Sequence, residues 1–109
     1  MDPHFHAALA RHQRGDLAGA EAAYRAILDR MPQHRDARAN LAQVLGRLGR
    51  VEEALGEYRT LAAEPATPAA AYLNAGTLLL RQGDHPAALR WYRDAWGVSR
   101  GWLRGSPIG

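Results

Sequence analysis

The chain has 109 residues, of which 47% are hydrophobic and 23% are charged, and this length suits one domain with one modest core. Cysteine is absent, which excludes disulfides, thiolate zinc sites and cysteine nucleophiles, and the net charge of +3 comes from arginines dispersed among acidic residues, which argues against a nucleic-acid partner. No apolar run reaches the ~20 residues of a bilayer span and the first residues lack a secretory pattern, so we expect a soluble, cytoplasmic protein without membrane contact.

From its start, the chain predicts helices joined by tight turns. Asp2-Pro3 predicts the beginning of the first helix, because Asp is a capping acceptor and Pro suits the first helical position. Arg14-Gly15-Asp16 predicts that this helix ends at a left-handed glycine and that Asp caps the second helix. Pro32 then predicts the end of the second helix.

The same signals return further along the chain. Leu48-Gly49-Arg50 and Gln82-Gly83-Asp84 predict two more turns of the same kind, and Thr67-Pro68 predicts a helix start like that of Asp2-Pro3. A last helix is predicted from near Pro86 to Gly97. No segment alternates with a period of two and β-branched residues are few, so the predicted fold class is all-α.

These signals repeat every 34 residues. The repeated columns are the turn glycines Gly15, Gly49 and Gly83, the small residues Ala8, Ala42 and Gly76, the alanines Ala20, Ala54 and Ala88, and the tyrosines Tyr24, Tyr58 and Tyr92. Small residues let helices cross at the low end of ~8–10 Å, whereas tyrosine gives the neighbouring helix a large apolar plate. We therefore predict three stacked helical hairpins that keep the tyrosines from water.

A 34-residue helix–turn–helix with small residues at positions 8 and 20, Gly at 15, an aromatic at 24 and Pro near 32 resembles the tetratricopeptide repeat. The resemblance implies an α-solenoid, a right-handed superhelical array of three repeats over residues 1–34, 35–68 and 69–102. These form a single domain, residues 1–102, with 103–109 as a short C-terminal capping tail. The first repeat departs from the family at His4, Ala7 and Arg11, which suits the polar outer face of a terminal repeat.

The resemblance also implies a binding surface. In the family, positions 2, 5, 6, 9, 12 and 13 of each repeat line a concave groove that takes an extended peptide or a partner helix. Carried over at positions 5, 6, 9 and 13, the candidate peptide- or partner-binding residues are Phe5, His6, Gln13, Asn40, Gln43, Arg47, Leu73, Asn74, Thr77 and Arg81. The family's carboxylate clamp needs Lys at position 5 and Asn at position 9, and this chain has neither, which argues against a chaperone-tail adaptor.

Two columns carry a more specific interpretation. Asn40 and Asn74 resemble the asparagine ladder of some family members, in which each carboxamide meets a peptide backbone about every third residue. The alternative is that these amides are solvated and unused. Arg47 and Arg81 favour an acidic partner through carboxylate recognition, and the alternative is that they are solvated near helix C-termini.

The C-terminal end predicts a second surface. The last helix is apolar around much of its circumference, whereas a closing helix should have one polar side. We therefore expect an end-cap or an interface for a homo-oligomer, and its candidate residues are Trp91, Trp96, Trp102 and Leu103.

Other motifs carry less weight. Arg14-Gly15-Asp16 spells an integrin-binding tripeptide, but Gln82-Gly83-Asp84 forms the same turn without it. His4, His6 and His12 lack the spacing of metal ligands, and no catalytic motif is present, so we expect no metal, no cofactor and no catalytic residue. The leading hypothesis is a non-catalytic scaffold that binds a protein or peptide. The alternatives are the substrate-recruiting N-terminal arm of a glycosyl- or sulfotransferase-like enzyme and a self-assembling module.

Overall fold

The computed structural model describes residues 2–100, and within this range the chain forms six α-helices. In chain order they are α1 (Pro3–Gln13), α2 (Leu17–Arg30), α3 (Arg35–Arg47), α4 (Val51–Ala62), α5 (Ala69–Arg81) and α6 (His85–Ser99). The helices pack sequentially, and the closest pairs are α1 with α2, α2 with α3 and α5 with α6. The all-α prediction is confirmed. The chain divides into two compact units, one ending at Glu57 and the other beginning at Tyr58.

Each repeat ends its first helix with the same glycine turn. The φ angles of Gly15, Gly49 and Gly83 are 84°, 84° and 81°, a left-handed conformation that costs glycine little. Each glycine N–H donates to the carbonyl three residues earlier. The next N–H donates to the carbonyl five residues earlier, in the pairs Asp16–Arg11 (2.9 Å), Arg50–Leu45 (2.9 Å) and Asp84–Leu79 (3.0 Å). These bonds form a Schellman motif and confirm the three predicted turns.

Side-chain caps begin most of the helices. Asp2 accepts a hydrogen bond from the His4 N–H (2.9 Å), and Asp16 and Asp84 accept from the N–H groups three residues later (3.0 and 3.1 Å). These caps were predicted, and Asp84 moves the start of α6 to His85, one residue before the predicted one. His34 caps α3 in a way that the sequence did not indicate, because its Nδ1 accepts the Ala37 N–H at 3.1 Å.

The prediction that Thr67 caps the fifth helix is wrong. Pro68 occupies the cap position of α5 and offers no side-chain acceptor. The Thr67 hydroxyl instead donates to the Leu61 carbonyl in the last turn of α4, and the residue is 1% exposed. The Leu61 carbonyl also accepts the Glu64 N–H at 2.9 Å, so the Thr67 hydroxyl adds a second bond at the same acceptor and ties the connection to the end of α4.

The repeated small residues lie where helices come closest. Ala8, Ala20, Ala42 and Ala54 are fully buried, and Gly76 lies against the Tyr92 ring of the same hairpin. A Cβ at Gly76 would approach Tyr92 Cε1 to 2.8 Å, so any larger residue would force the ring or the helix to shift. The steric reason for this column is therefore confirmed in the α5–α6 hairpin.

The three repeated tyrosines differ in exposure. Tyr24 is 0% and Tyr58 is 3% exposed, and burial raises the pKa of Tyr58 to about 12. Tyr92 is only half-buried. The expectation of three dry rings is therefore met by the first two tyrosines and not by the third.

Candidate functional site

In the first unit, the candidate residues of α1 differ in their surroundings. His6 and Gln13 are exposed. Phe5 is half-buried, and its ring stacks on His34 with centroids 5.1 Å apart and lies 6.1 Å from Tyr24. Phe5 therefore gives part of its surface to the packing of α1 on its neighbours, and only the remainder is available to a partner.

A polar cluster links three helices of the first unit. His12 Nδ1 lies 3.1 Å from the Tyr24 hydroxyl, and the two rings meet edge to face at 5.8 Å. Burial raises the pKa of Tyr24, and a hydrogen bond with the Asn40 side chain acts in the opposite direction. The Tyr24 hydroxyl thus lies beside His12 of α1, and the Asn40 side chain of α3 lies close enough to influence its pKa.

The pKa of the imidazole in this cluster is lowered. His12 is 9% exposed, and burial lowers its pKa, with a second contribution in the same direction from the positive charge of Arg47. Arg47 and Gln43 are themselves exposed on α3, and Asn40 is half-buried. The structure therefore brings Asn40 and Arg47 into one neighbourhood, around His12, which the sequence prediction did not include.

In the second unit, the exposed face of α5 combines apolar and polar side chains. Leu73 and Leu80 are 46% and 47% exposed, and their seven-residue spacing places them on one face of the helix. Asn74 and Arg81 are exposed beside them. Leu80 was missed from the sequence, although its spacing from Leu73 and its family position, 12, would have identified it.

Thr77 has a structural role in addition to its predicted one. It is half-buried, and its hydroxyl lies 3.0 Å from that of Tyr92. The tyrosine at position 24 of the third repeat therefore bonds to the first helix of its own hairpin, as Tyr24 does in the first repeat. Thr77 is thus a less accessible member of the predicted surface.

The tryptophans at the C-terminal end have different environments. Trp91 is half-buried against Tyr72, Ala95 and Val98, and its ring lies 5.9 Å from that of Tyr72. Trp96 is 56% exposed, and the Arg100 guanidinium lies 4.9 Å from the centre of its ring. Trp102 and Leu103 lie outside the described residues, as does the tail 103–109.

Four charged residues of the first unit form a closed ring of ion pairs. Glu21 contacts Arg25 (2.9 Å) and Arg50 (2.6 Å), and Glu53 contacts Arg25 (3.3 Å) and Arg50 (2.6 Å). The hydrogen bonds from Arg50 and then Arg25 lower the pKa of Glu21. The ring joins α2 to the start of α4, and a separate pair joins Arg38 to Glu57 at 2.6 Å. Arg25, Arg38 and Arg50 already form ion pairs within the chain, so they are poor candidates for partner recognition.

Other features add little chemistry. A cleft of about 260 Å³ lies between the end of α4 and α6 in the second unit, and it is lined by Ala62, Ala63, Glu64, Pro65, Thr67, Tyr72 and Val98. Within residues 2–100, no three His, Asp or Glu side chains group as metal ligands would. In the same range, no helix has both the length and the apolar character that crossing a bilayer requires.

Comparison with known proteins agrees with this architecture. A family described as "Tetratricopeptide repeat" matches residues 11–76, and a second family of the same description matches residues 69–94. Together the two matches extend from α1 into α6. A search of curated proteins found no match.

Proposed function

Because the chain belongs to the tetratricopeptide repeat family, whose modules are generally protein–protein interaction scaffolds, we propose that it is a non-catalytic module that binds a peptide or partner protein through its first helices. The binding residues are those at the family's groove positions. Each unit contributes its own set, from α1 and α3 in the first unit and from α5 in the second.

The exposed face of α5 is the observation that carries this proposal. Leu73 and Leu80 leave nearly half of their surface in water, and a cation and a carboxamide lie beside them at Arg81 and Asn74. Recognition surfaces typically combine apolar anchors with a polar rim and favour arginine. Covering the leucines would contribute roughly 25 cal/mol per Å² of apolar area.

The first unit supplies polar recognition groups. Asn40 is half-buried on α3, and its carboxamide can both donate to and accept from a peptide backbone. Arg47 is exposed and can form a bidentate contact with a carboxylate, so the proposed partner is acidic. With so few repeats we expect a dissociation constant of about micromolar order, since buried area alone does not give tight binding.

Selection of a displayed random-peptide library on the immobilised full chain tests the proposal. We expect enrichment of acidic peptides, whose binding is then measured by calorimetry. Leu73→Ala and Arg81→Glu should each weaken binding about fivefold or more, since they remove an anchor and reverse a charge at the surface. Arg59→Glu is the matched control, because Arg59 is exposed on α4, a second helix of its repeat.

Separate substitutions test the two asparagines. Asn40→Ala and Asn74→Ala should each weaken binding of the selected peptide while leaving the circular dichroism of the chain unchanged. Failure to enrich any peptide over a scrambled pool would contradict the proposal. Equal losses from Arg81→Glu and Arg59→Glu would contradict the assignment to the first helices.

A further inference from the structure

One exposed face of α6 has no counterpart in the function proposed above. Leu89, Arg93, Trp96 and Arg100 follow one another at intervals of four, three and four residues, and we call them the α6 stripe. At about 100° per residue they lie within an arc of about 60°. Leu89 is 53% and Trp96 is 56% exposed, so these two apolar side chains leave more than half of their surface in water.

The repeats provide an internal comparison for this face. Tyr92, at its edge, is half-buried, whereas the equivalent Tyr24 is 0% exposed. In the first unit α3 packs against α2, the helix that carries Tyr24. A neighbouring helix of the same chain thus covers this side of α2. The shape of the α6 stripe suits a helix as well.

The charges of the α6 stripe indicate the character of that helix. Arg93 occupies the repeat position of Arg25, which pairs with Glu21 at 2.9 Å and Glu53 at 3.3 Å. On α6 the position of Glu21 holds Leu89, and among residues 2–100 Arg93 makes no ion pair. Two guanidinium groups flanking an indole and a leucine are complementary to an apolar surface bordered by carboxylates.

Three segments of this chain are poor candidates to cover the α6 stripe, because none of them is acidic. They are α1, α6 and the residues after Arg100. Helix α1 has three histidines, one arginine and no acidic residue, so a second copy docking through α1 would bring like charges together. A second copy docking through α6 would do the same, because α6 carries Arg90 and Arg93 against Asp94 alone. The nine residues after Arg100 contain one arginine and no acidic residue.

We propose that the α6 stripe docks an acidic amphipathic helix of another protein. Its apolar side covers Leu89 and Trp96, and its carboxylates pair with Arg93 and Arg100. This surface is separate from the first-helix surface of the proposed function, since it lies on the second helix of the third repeat.

The test uses the full chain and a labelled synthetic helix of about 18 residues, five turns, with a Leu/Ala face bordered by Glu. A matched peptide has Lys in place of each Glu. By fluorescence anisotropy we expect the acidic peptide to bind at least about tenfold more tightly than the basic one. Trp96→Ala and Arg93→Glu should each weaken the acidic peptide about tenfold, because anchors and charged partners dominate such contacts. Arg90→Glu makes the same change of charge on the same helix, about 120° from Trp96, and should alter binding less than threefold.

Five outcomes would overturn the proposal. Equal binding of the two peptides, or equal effects of Arg93→Glu and Arg90→Glu, would remove the charge argument. Dimerisation in light scattering that Trp96→Ala abolishes would assign the stripe to a second copy. Tighter peptide binding by a Trp102→Ala/Leu103→Ala variant would assign it to the chain's own tail. If Leu73→Ala abolished peptide binding and Trp96→Ala left it unchanged, the binding site would lie on α5. The proposed function would then still stand.

Discussion

At the residue scale, the surroundings of His12 lower the pKa of its imidazole. Its ring is buried beside the Tyr24 hydroxyl and feels the positive charge of Arg47, and burial, the larger cause, lowers its pKa below the ordinary value. In the unfolded chain the same imidazole is solvated and accepts a proton more readily. Protons therefore bind preferentially to the unfolded state, and acidification weakens the fold.

We predict that the free energy of unfolding falls as the pH is lowered from about 7.5 to about 5.5, through the range where solvated histidines take up protons. In a His12→Gln variant this fall should be smaller, because the group that charges on unfolding is absent. Urea unfolding followed by circular dichroism at a series of pH values measures it. His85→Gln, at an exposed histidine, is the control and should retain the wild-type slope. Identical slopes in both variants would contradict the role of His12.

At the scale of helices, α5 and α6 pack closely because Gly76 has no side chain at their contact. Gly76 lies under the ring of Tyr92, whereas Gly56, inside α4, has open space where a Cβ would lie. The same substitution at the two sites therefore has opposite consequences. One inserts a methyl group into a filled crossing, and the other improves the helix propensity of an accessible position.

Gly76→Ala should lower the free energy of unfolding by about 1–3 kcal/mol, because the Tyr92 ring or the helix must shift. Gly56→Ala should raise it by up to about 1 kcal/mol, since alanine favours the helical backbone. Chemical unfolding of both variants measures the contrast. A neutral Gly76→Ala would mean that the hairpin adjusts without strain and would contradict the close crossing.

At the scale of the whole molecule, the ion pairs found among residues 2–100 lie in the first unit. The ring formed by Glu21, Arg25, Arg50 and Glu53 lies there, and it depends on ionised carboxylates. The pKa of Glu21 is lowered by its hydrogen bonds to Arg50 and Arg25, so its contribution to stability is present at neutral pH and is lost as the pH falls through the lowered value.

We predict that Glu21→Gln destabilises the chain at low ionic strength and neutral pH, and that its difference from wild type shrinks at about 1 M salt, where screening is strong. Thermal unfolding of both proteins at the two salt concentrations measures this. Glu52→Gln removes the same charge outside the ring, on α4, and should show a smaller difference. A difference independent of salt would indicate that Glu21 acts by packing.

The fold could be predicted from the sequence at positions where the local structure accepts few residue types. The turn glycines were predictable because few other residues tolerate a positive φ, and Gly76 because a crossing needs a small residue. Thr67 does not cap α5 although its local pattern suits a cap, because its hydroxyl donates to the Leu61 carbonyl six residues earlier. The ring of Glu21 and Arg50 depends on arginine rotamers and a partner 29 residues away, which no local pattern encodes.

The candidate site was less predictable than the fold. Family positions identified exposed residues such as Asn74 and Arg81, but they did not indicate that Phe5 stacks on His34 or that Thr77 bonds to Tyr92. These contacts depend on which side chains happen to be neighbours once the helices have packed. Family position predicted Leu73 on the exposed face of α5, and the same reasoning would have identified Leu80, which is 47% exposed.

The repeated Schellman turns give the chain an internal scale for hydrogen exchange. The amides of Asp16, Arg50 and Asp84 occupy the same place in three successive turns, and each donates to a carbonyl five residues earlier. Each follows a glycine and makes the same backbone bond, so differences in deuterium uptake, taken relative to the intrinsic exchange rate of each amide, report how readily each hairpin opens. Three backbone amides can thus rank the local stability of the repeats within a single experiment.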